Sequence, residues 1–180
     1  KYSPNGKYAC FVMHKMAVEE NRYLSNLWIY NTEDNECRQL TSFDGEKSFI
    51  WLDDSNILFP AIRNPKDKEK MESGEEFTQY YKINIHGGEA LPSFRIPLYV
   101  TSIQKLDDKN FLITGINYLY KINLDKIKPE DKENTISKMK EEKDYEVLDE
   151  IPFWSNGQGF TNKKRNRLYI FNAKTNEINP

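Results

Sequence analysis

Leu27-Trp28-Ile29-Tyr30-Asn31 is the first of four short segments that match one another along the chain. The other three are Tyr80-Tyr81-Lys82-Ile83-Asn84, Leu119-Tyr120-Lys121-Ile122-Asn123 and Leu168-Tyr169-Ile170-Phe171-Asn172. Each segment has a ring at its second position, an aliphatic or aromatic side chain at its fourth and Asn at its end. This period-two alternation predicts a β-strand that runs into a turn.

Turn-forming residues stand on both sides of these segments. Three of the four are followed by Glu five residues after their Asn, at Glu36, Glu89 and Glu177. The residues between contain Asn or Gly, which tolerate the positive φ of tight hairpins. A second turn precedes the first three segments, at 3–7, 52–56 and 106–110. Two hairpins per unit predict a four-stranded antiparallel blade.

The spacing of the repeat indicates the fold. The aromatic second positions recur every 39 to 53 residues, and four strands at such a period are typical of a β-propeller. We therefore expect an all-β fold, a propeller fragment of about three and a half blades, with units at 1–44, 45–98, 99–152 and 153–180. Because closed propellers contain four to eight blades, the chain is expected to be part of a larger ring or to pair with a second copy.

Two polar stretches interrupt the repeat. Residues 128–143 are rich in helix formers, with Pro129 suited to a first turn and Glu130 and Asp131 near the start. The sequence therefore predicts one short helical insertion, at 125–146, on the rim of the propeller. The second stretch, 63–76, is predicted to be a polar loop.

The amino-acid composition argues against several classes of binding partner. The 26 basic and 28 acidic residues give a net charge of -2, which argues against binding to nucleic acid or to a membrane surface. No apolar run is long enough to span a bilayer. Cys10 and Cys37 fit no zinc or disulfide framework. These features favour a soluble protein in the reducing cytoplasm.

The first unit carries a family resemblance. Ser3-Pro4-Asn5-Gly6-Lys7-Tyr8-Ala9-Cys10-Phe11 resembles a repeat that begins S-P-D-G-K, with Asn5 in place of Asp. That repeat occurs in the translocation protein TolB and in the N-terminal propellers of prolyl oligopeptidase-family serine peptidases. Leu27 to Asn31, followed by Arg38-Gln39-Leu40-Thr41, is similar to the second hairpin of the same repeat.

A later segment favours the peptidases. The stretch 149–160, followed by Arg165 to Ile170, is similar to the middle of the propeller in acylaminoacyl-peptidase-like members. The basic residues of that family are replaced here by Ile151, Phe153 and Trp154. The resemblance implies a propeller that admits short peptides to an α/β-hydrolase domain of the same polypeptide.

The chain itself lacks the sequence signatures of catalysis. An α/β-hydrolase needs a nucleophilic Ser in a G-x-S-x-G turn, and no Ser here has Gly two residues before it. His14 and His86 are expected to have structural or surface roles. Without HExxH, CxxC or a Gly-rich phosphate loop, no metal or cofactor is predicted. We expect this segment to catalyse no reaction on its own.

Four residues are candidates for substrate contact. Dipeptidyl peptidases hold a substrate amino group with paired glutamates on a propeller insertion, so the resemblance points to Glu141 and Glu142. The alternative is a solvated helix face, because adjacent acids on a helix point in different directions. Phe153 and Trp154 are candidates to line the channel or the rim that faces the hydrolase, and packing between blades is their alternative.

Two functions stay open from the sequence. In one, the chain is the non-catalytic propeller segment of a serine peptidase. In the other, it belongs to a TolB-like or sensor-type propeller that binds a protein partner, since a propeller scaffold does not fix function.

Overall fold

Among the described residues, three antiparallel sheets of three or four strands follow one another, and we name them blade 1, blade 2 and blade 3. The computed structural model describes residues 1–118, 127–141, 154–155, 159–160 and 164–180. Within these ranges strands predominate and there are two helices. The predicted all-β class is confirmed.

Each blade is built from strands that are consecutive or nearly consecutive in the chain. Blade 1 contains β1 (Tyr8–Ala17), β2 (Arg22–Asn31) and β3 (Cys37–Gln39), and Tyr2 adds an isolated bridge to Ala9. Blade 2 contains β4 (Ile50–Trp51), β5 (Asn56–Pro60), β6 (Thr78–Asn84) and β7 (Leu91–Ile96), with helix α1 (Pro65–Glu72) between β5 and β6.

Blade 3 begins with β8 (Tyr99–Lys105) and β9 (Asn110–Tyr118). A long connection follows, which contains helix α2 (Pro129–Glu141) and the short paired strands β10 (Trp154–Ser155) and β11 (Gly159–Phe160). The blade is completed by β12 (Lys164–Asn172) and β13 (Glu177–Asn179), in the spatial order β13-β12-β9-β8.

Apolar side chains fill the gap on each side of blade 2. Alternate residues of its strands point to opposite faces. One face packs Phe59, Tyr81 and Ile83 against Cys10, Leu27 and Ile29 of blade 1. The other packs Leu58, Tyr80 and Phe94 against Phe111, Ile113 and Phe171 of blade 3. Blade 2 is therefore buried on both faces, as the inner blade of a stack must be.

The final Asn of the repeat has the same role in all three blades. The side-chain oxygens of Asn31, Asn84 and Asn172 each accept a hydrogen bond from the backbone N–H two residues further on, at 3.1, 2.8 and 3.0 Å. This is the geometry of an Asx turn. The strand-and-turn prediction is confirmed for these three segments, whereas the segment at 119–123 lies outside the described residues.

Neighbouring turns within each blade are joined by one repeated hydrogen bond. The residue after each of these Asn residues donates its backbone N–H to the turn that precedes β1, β5 or β9 in the same blade. The pairs are Thr32 with Lys7, Ile85 with Ser55 and Ala173 with Lys109, at 2.9, 2.8 and 2.7 Å. Both hairpin turns of a blade therefore lie at one end of the molecule, which we call the turn end.

The other connections lie at the opposite end, which we call the insertion end. They are the connections between blades and the three that leave and re-enter the blades at 18–21, 61–77 and 119–163. The first is a short turn, the second contains α1 and the third contains α2. The insertion end thus carries the connections that contain the two described helices.

The sheets group two of the expected units together. β9 pairs with β12 along its whole length, from Tyr118 opposite Lys164 to Asn110 opposite Asn172. Strands from both expected units, 99–152 and 153–180, therefore form one sheet. The connection at 119–163 occupies the position within blade 3 that 61–77 occupies within blade 2.

One helix was predicted, and the described part of the chain contains two. α2 lies within the predicted insertion at 125–146, which confirms the helix, whereas the bounds of the insertion and its place on the rim stay predictions. The stretch 63–76 was predicted to be a loop, yet it contains α1. The Asn64 side chain caps this helix by accepting from the Lys66 N–H at 3.0 Å, and Pro65 opens it. A capping Asn followed by Pro and an early acid is a helix start.

Candidate functional site at the insertion end

The insertion end exposes large apolar side chains around the tip of the β1–β2 hairpin. Met16, Val18 and Tyr23 are 59%, 77% and 66% exposed, and Phe43 of the next connection is 51% exposed. Met16 and Tyr23 lie directly opposite each other in the hairpin. Exposed apolar groups that cluster in this way mark interaction surfaces, so the insertion end is the candidate functional surface.

A buried ion pair joins blade 1 to blade 2 at this end. Glu46 lies in the connection between the two blades and is fully buried. Its backbone N–H donates to the Ser25 carbonyl at 3.1 Å, and Ser25 in turn donates to Asp44 at 3.2 Å. These bonds fold the connection back onto β2. Arg63, which follows β5, donates from Nη2 to Glu46 Oε1 at 2.5 Å. We call this pair the first clamp.

Aromatic rings surround the guanidinium of the first clamp. The central carbon of Arg63 lies 5.1 Å from the ring centre of Phe43, 5.2 Å from that of Phe59 and 5.4 Å from that of Tyr81. Rings attract a cation through the negative charge density of their faces. The Arg63 side chain is thereby held by one carboxylate and three rings. Its Nε–H is buried and has no hydrogen-bond acceptor among the residues that the structure describes.

A second clamp fixes α1 to blade 2. Asp67 in the first turn of α1 accepts from Arg95 Nη2 at 2.6 Å. Arg95 also donates from Nε to the Gln79 side chain at 3.0 Å and lies 4.2 Å from the ring centre of Phe77. Gln79 completes the network by donating to the carbonyls of Tyr80 and Phe94. The helix is therefore anchored to strands β6 and β7.

A groove opens beside the first clamp. It has a volume of about 430 Å³ and is lined by the stretch from Leu40 to Phe43, by Arg63 and Ile83, and by Gly88 to Ala90. The volume is within the range of small-ligand sites. Its walls are apolar at Leu40, Phe43 and Ile83, and Glu89 lies on the turn before β7.

Burial raises the pKa of two ionisable groups in the blade cores. Burial raises the pKa of the Cys10 thiol to about 12, so the sulfur stays protonated at neutral pH and is a poor nucleophile. The pKa of Tyr80 is also raised by burial. His86 packs edge-on against Tyr8 with ring centres 5.6 Å apart. Among the described residues, no three His, Cys, Asp or Glu side chains are grouped to hold a metal ion.

The described structure includes two of the four residues predicted to contact substrate. Glu141 ends α2, is exposed and accepts from Ser137 Oγ at 3.4 Å. Trp154 belongs to β10, opposite Phe160. Glu142 and Phe153 lie outside the described residues. Substrate contact by these residues stays a prediction.

Sequence reasoning missed the residues of both clamps. Glu46 and Arg63 are separated by 17 positions, and Asp67 and Arg95 by 28, so no local pattern links them. Only Asp67 had a sequence signal, because Asn64-Pro65 followed by an acid predicts a helix start at that point.

Within the described ranges, no helix is long and apolar enough to cross a membrane.

Known proteins with a similar fold were found by comparing structures and not by comparing sequences. No protein family and no curated protein matches the sequence. An acylaminoacyl peptidase of Pyrococcus horikoshii has a TM-score of 0.61 at 16% identity, over 96% of this chain and 22% of that one. An acylaminoacyl peptidase solved with Z-Gly-Gly-Phe-chloromethyl ketone gives 0.61 at 16% identity, over 97% and 24%.

A further solved structure extends the likeness. The AtxE2 isopeptidase has a TM-score of 0.55 at 12% identity, over 99% of this chain and 28% of its own. The chain thus spans between about a fifth and three tenths of the length of these enzymes. At the level of the fold, the expected likeness to the propeller domain of a prolyl oligopeptidase-family peptidase is confirmed, and the chain is an all-β propeller fragment.

Proposed function

We propose that the chain is the non-catalytic propeller segment of a serine peptidase of the prolyl oligopeptidase family. In this proposal it controls the access of short peptides to an α/β-hydrolase domain of the same polypeptide. The observation that carries the proposal is the structural likeness of nearly the whole chain to two acylaminoacyl peptidases. The absence of a G-x-S-x-G elbow from the sequence agrees with a segment that performs no chemistry itself.

The insertion end is the surface that we assign to this control. Two observations support the choice: the long connections leave the blades there, and exposed apolar residues cluster there. The turn end consists instead of short, hydrogen-bonded turns repeated in each blade. Short repeated turns leave little freedom for a surface that must distinguish one peptide from another.

Two measurements test whether the parent is a peptidase. The first is the reading frame beyond Pro180, which we expect to encode a G-x-S-x-G elbow followed by Asp and His. The second is labelling of the natural protein with a fluorophosphonate, which reacts with an activated serine. A reading frame without the elbow, or a full-length protein that resists the label, would sink the proposal.

The gating function needs its own test in the full-length enzyme. Replacing residues 65–72 by a short Gly-Ser linker removes α1 from the insertion end. We expect cleavage of long peptides to rise relative to short ones, because a barrier that sorts by size is weakened. A matched replacement of the turn 173–176 at the turn end should leave the ratio unchanged. Equal ratios in all three proteins would contradict gating by this end.

The alternative is a TolB-like or sensor-type propeller that acts as a protein-interaction module. The exposed Met16, Val18 and Tyr23 at the hairpin tip favour a contact with another protein. The reading-frame test separates the two functions, because an interaction module has no hydrolase elbow.

A cytoplasmic location also stays a prediction, which cell fractionation would check.

Pairing of two copies also stays a prediction. In blade 3, Leu168 and Ile170 are 61% and 46% exposed. They occupy the repeat positions of Tyr80 and Lys82 in blade 2, where Tyr80 packs in the core shared with blade 3. A light-scattering mass of the 180-residue chain tests the pairing, and a monomer at high concentration would exclude it.

A further inference from the structure

A cleft opens between blade 2 and blade 3 on the side of the insertion end, and we call it the inter-blade cleft. It has a volume of about 220 Å³ and is lined by Lys1, residues 48–50, Leu58, Pro60, Tyr80 and residues 100–103. Pro60 and Tyr80 lie opposite each other where β5 and β6 meet the connection 61–77. Because the cleft is smaller than most small-ligand sites, it fits one group of a longer ligand.

Tyr80 brings a hydroxyl without a partner to the inter-blade cleft. The residue is 2% exposed, and its hydroxyl forms no hydrogen bond within the described part of the chain. The fully enclosed side-chain atom without a partner there is Arg63 Nε. The Tyr80 hydroxyl therefore keeps contact with open space, and the inter-blade cleft is the space that Tyr80 lines. Because burial raises its pKa, the hydroxyl stays protonated and can donate a hydrogen bond.

The β8 wall of the cleft contains a β-bulge. The register between β8 and β9 shifts between Val100 and Ser102, so that Thr101 is an extra residue. Bulges of this kind redirect side chains and are frequent beside functional sites. The Thr101 hydroxyl donates to the Thr114 carbonyl at 3.2 Å. The exposed Ser102, which follows the bulge, lines the cleft with a hydroxyl that has no partner among the described residues.

The charge of the lining favours an anionic acceptor. The residues that line the cleft include Lys1 and no Asp or Glu. The Lys1 ammonium lies 5.9 Å from the ring centre of Phe49 and has no carboxylate partner in the described ranges. By contrast, Glu89 lines the groove beside the first clamp, and Asp53 lines a cavity at the turn end. Since hydrogen bonds to an ionised acceptor are stronger than those to a neutral one, a carboxylate suits this lining best.

We propose that the inter-blade cleft binds the terminal carboxylate of a short peptide, which accepts hydrogen bonds from the Tyr80 and Ser102 hydroxyls and faces the Lys1 ammonium. Ile50 and Val100 would contact an aliphatic side chain of the last residue of that peptide. The choice of a peptide rests on the proposed function. The choice of a carboxylate rests on the hydroxyls and the charge of the lining.

The test compares two probes that differ only in charge, acetyl-Ala-Leu with a free carboxylate and acetyl-Ala-Leu-amide. Binding to the 180-residue chain is followed by NMR of methyl groups. The signals of Ile50 and Val100 should move, whereas the signal of Ile57, enclosed on the opposite face of blade 2, should stay in place. We expect the acid to bind roughly tenfold more tightly than the amide, because the amide lacks the charge that strengthens its hydrogen bonds.

Tyr80→Phe removes the hydroxyl and keeps the ring in the core. Affinity for the acid should fall roughly fivefold, the effect of one lost hydrogen bond. Tyr81→Phe is the matched control, because it removes the same atom from the neighbouring side chain, which packs towards blade 1. Its affinity for the acid should equal that of the unchanged chain. Lys1→Gln should narrow the difference between the acid and the amide.

Three outcomes would overturn the inference. They are equal binding of the two probes, an unchanged affinity for the acid in Tyr80→Phe, and the same loss in Tyr81→Phe as in Tyr80→Phe. The methyl spectrum of each variant shows whether it is folded, and Lys1→Gln tests the charge without altering the core.

These results are separable from the peptidase assignment. The measurement reports binding to the propeller segment and not hydrolysis, so the acid can be preferred when the parent lacks a hydrolase elbow. Conversely, equal binding of the two probes leaves the reading-frame and labelling tests of the parent unaffected.

Discussion

The two arginine clamps at the insertion end share their parts and differ in what they connect. Each has a carboxylate close to an arginine Nη2, and each arginine lies against aromatic rings. The second clamp lies wholly within blade 2 and its helix, through Asp67, Gln79 and Arg95. The first clamp joins the connection from blade 1 to the strand end of blade 2, through Glu46 and Arg63.

The two clamps differ in burial and in the polar partners of their arginines. In the first clamp the two side chains are 1% and 21% exposed, whereas in the second they are 9% and 36% exposed. The more deeply buried clamp is also the one whose arginine has an Nε–H without an acceptor among the described residues. Removing a partner is expected to cost more free energy of unfolding in the more deeply buried clamp.

Glu46→Ala should produce the largest loss of stability among these substitutions. It leaves the Arg63 guanidinium without a counter-ion in a buried setting, and breaking a buried pair in this way costs about 3 kcal/mol. Urea unfolding of the purified chain measures the loss. Glu46→Gln is the control, because its side-chain oxygen still accepts from Nη2, and its loss should be smaller. If Glu46→Ala unfolded at the same urea concentration as the unchanged chain, the first clamp would contribute nothing to the stability of the fold.

Asp67→Ala should cost less, about 1 kcal/mol, because Arg95 is more exposed and water replaces part of the lost contact. Asp67→Asn keeps an oxygen that accepts from Arg95 and should fall between the two. The same urea series compares the clamps directly. A larger loss for Asp67→Ala than for Glu46→Ala would reverse the ranking of the two clamps drawn from their burial.

The strands and turns were predictable because their causes are local. A ring at the second position and Asn at the end of the segment encode a strand and its Asx turn within five residues, at Asn31, Asn84 and Asn172. The sequence also shows that the third segment of the repeat differs from the other three. Asn123 is followed five positions later by Lys128, where the other three segments have Glu. The three segments that share this Glu supply β2, β6 and β12.

The candidate site was not predictable because its causes are tertiary. Arg63 meets Phe43, Phe59 and Tyr81 only after two blades have packed together. Its unpaired Nε is a property of the packed structure, since a sequence does not show which donors find an acceptor. The resemblance to peptidases led to Glu141 and Trp154, whereas the described contacts lead to Arg63.

At the turn end, carboxylates stabilise the turns by accepting hydrogen bonds from nearby residues. Hydrogen bonds from the Lys109 and Asn110 N–H groups and the Asn110 side chain lower the pKa of Asp107. Burial alone would raise the pKa of Asp53, but hydrogen bonds from Ser55 and Asn56 outweigh it, and the pKa is lowered. A lowered pKa in the folded state means that the charged form stabilises the fold. This stabilisation is present at neutral pH and is lost as the pH falls below about 4.

The smallest predicted effect is therefore a change in pH dependence. The double variant Asp53→Asn/Asp107→Asn keeps a side-chain oxygen in each turn but cannot titrate. Urea midpoints at pH 7 and pH 3 should differ less in this variant than in the unchanged chain, because two groups that lose their charge in acid have been removed. Asp54→Asn/Asp108→Asn, at the next position of the same two turns, is the matched control and should lose less of the difference. Identical pH dependence in the first variant and the unchanged chain would show that the charges of Asp53 and Asp107 add nothing to the stability of these turns.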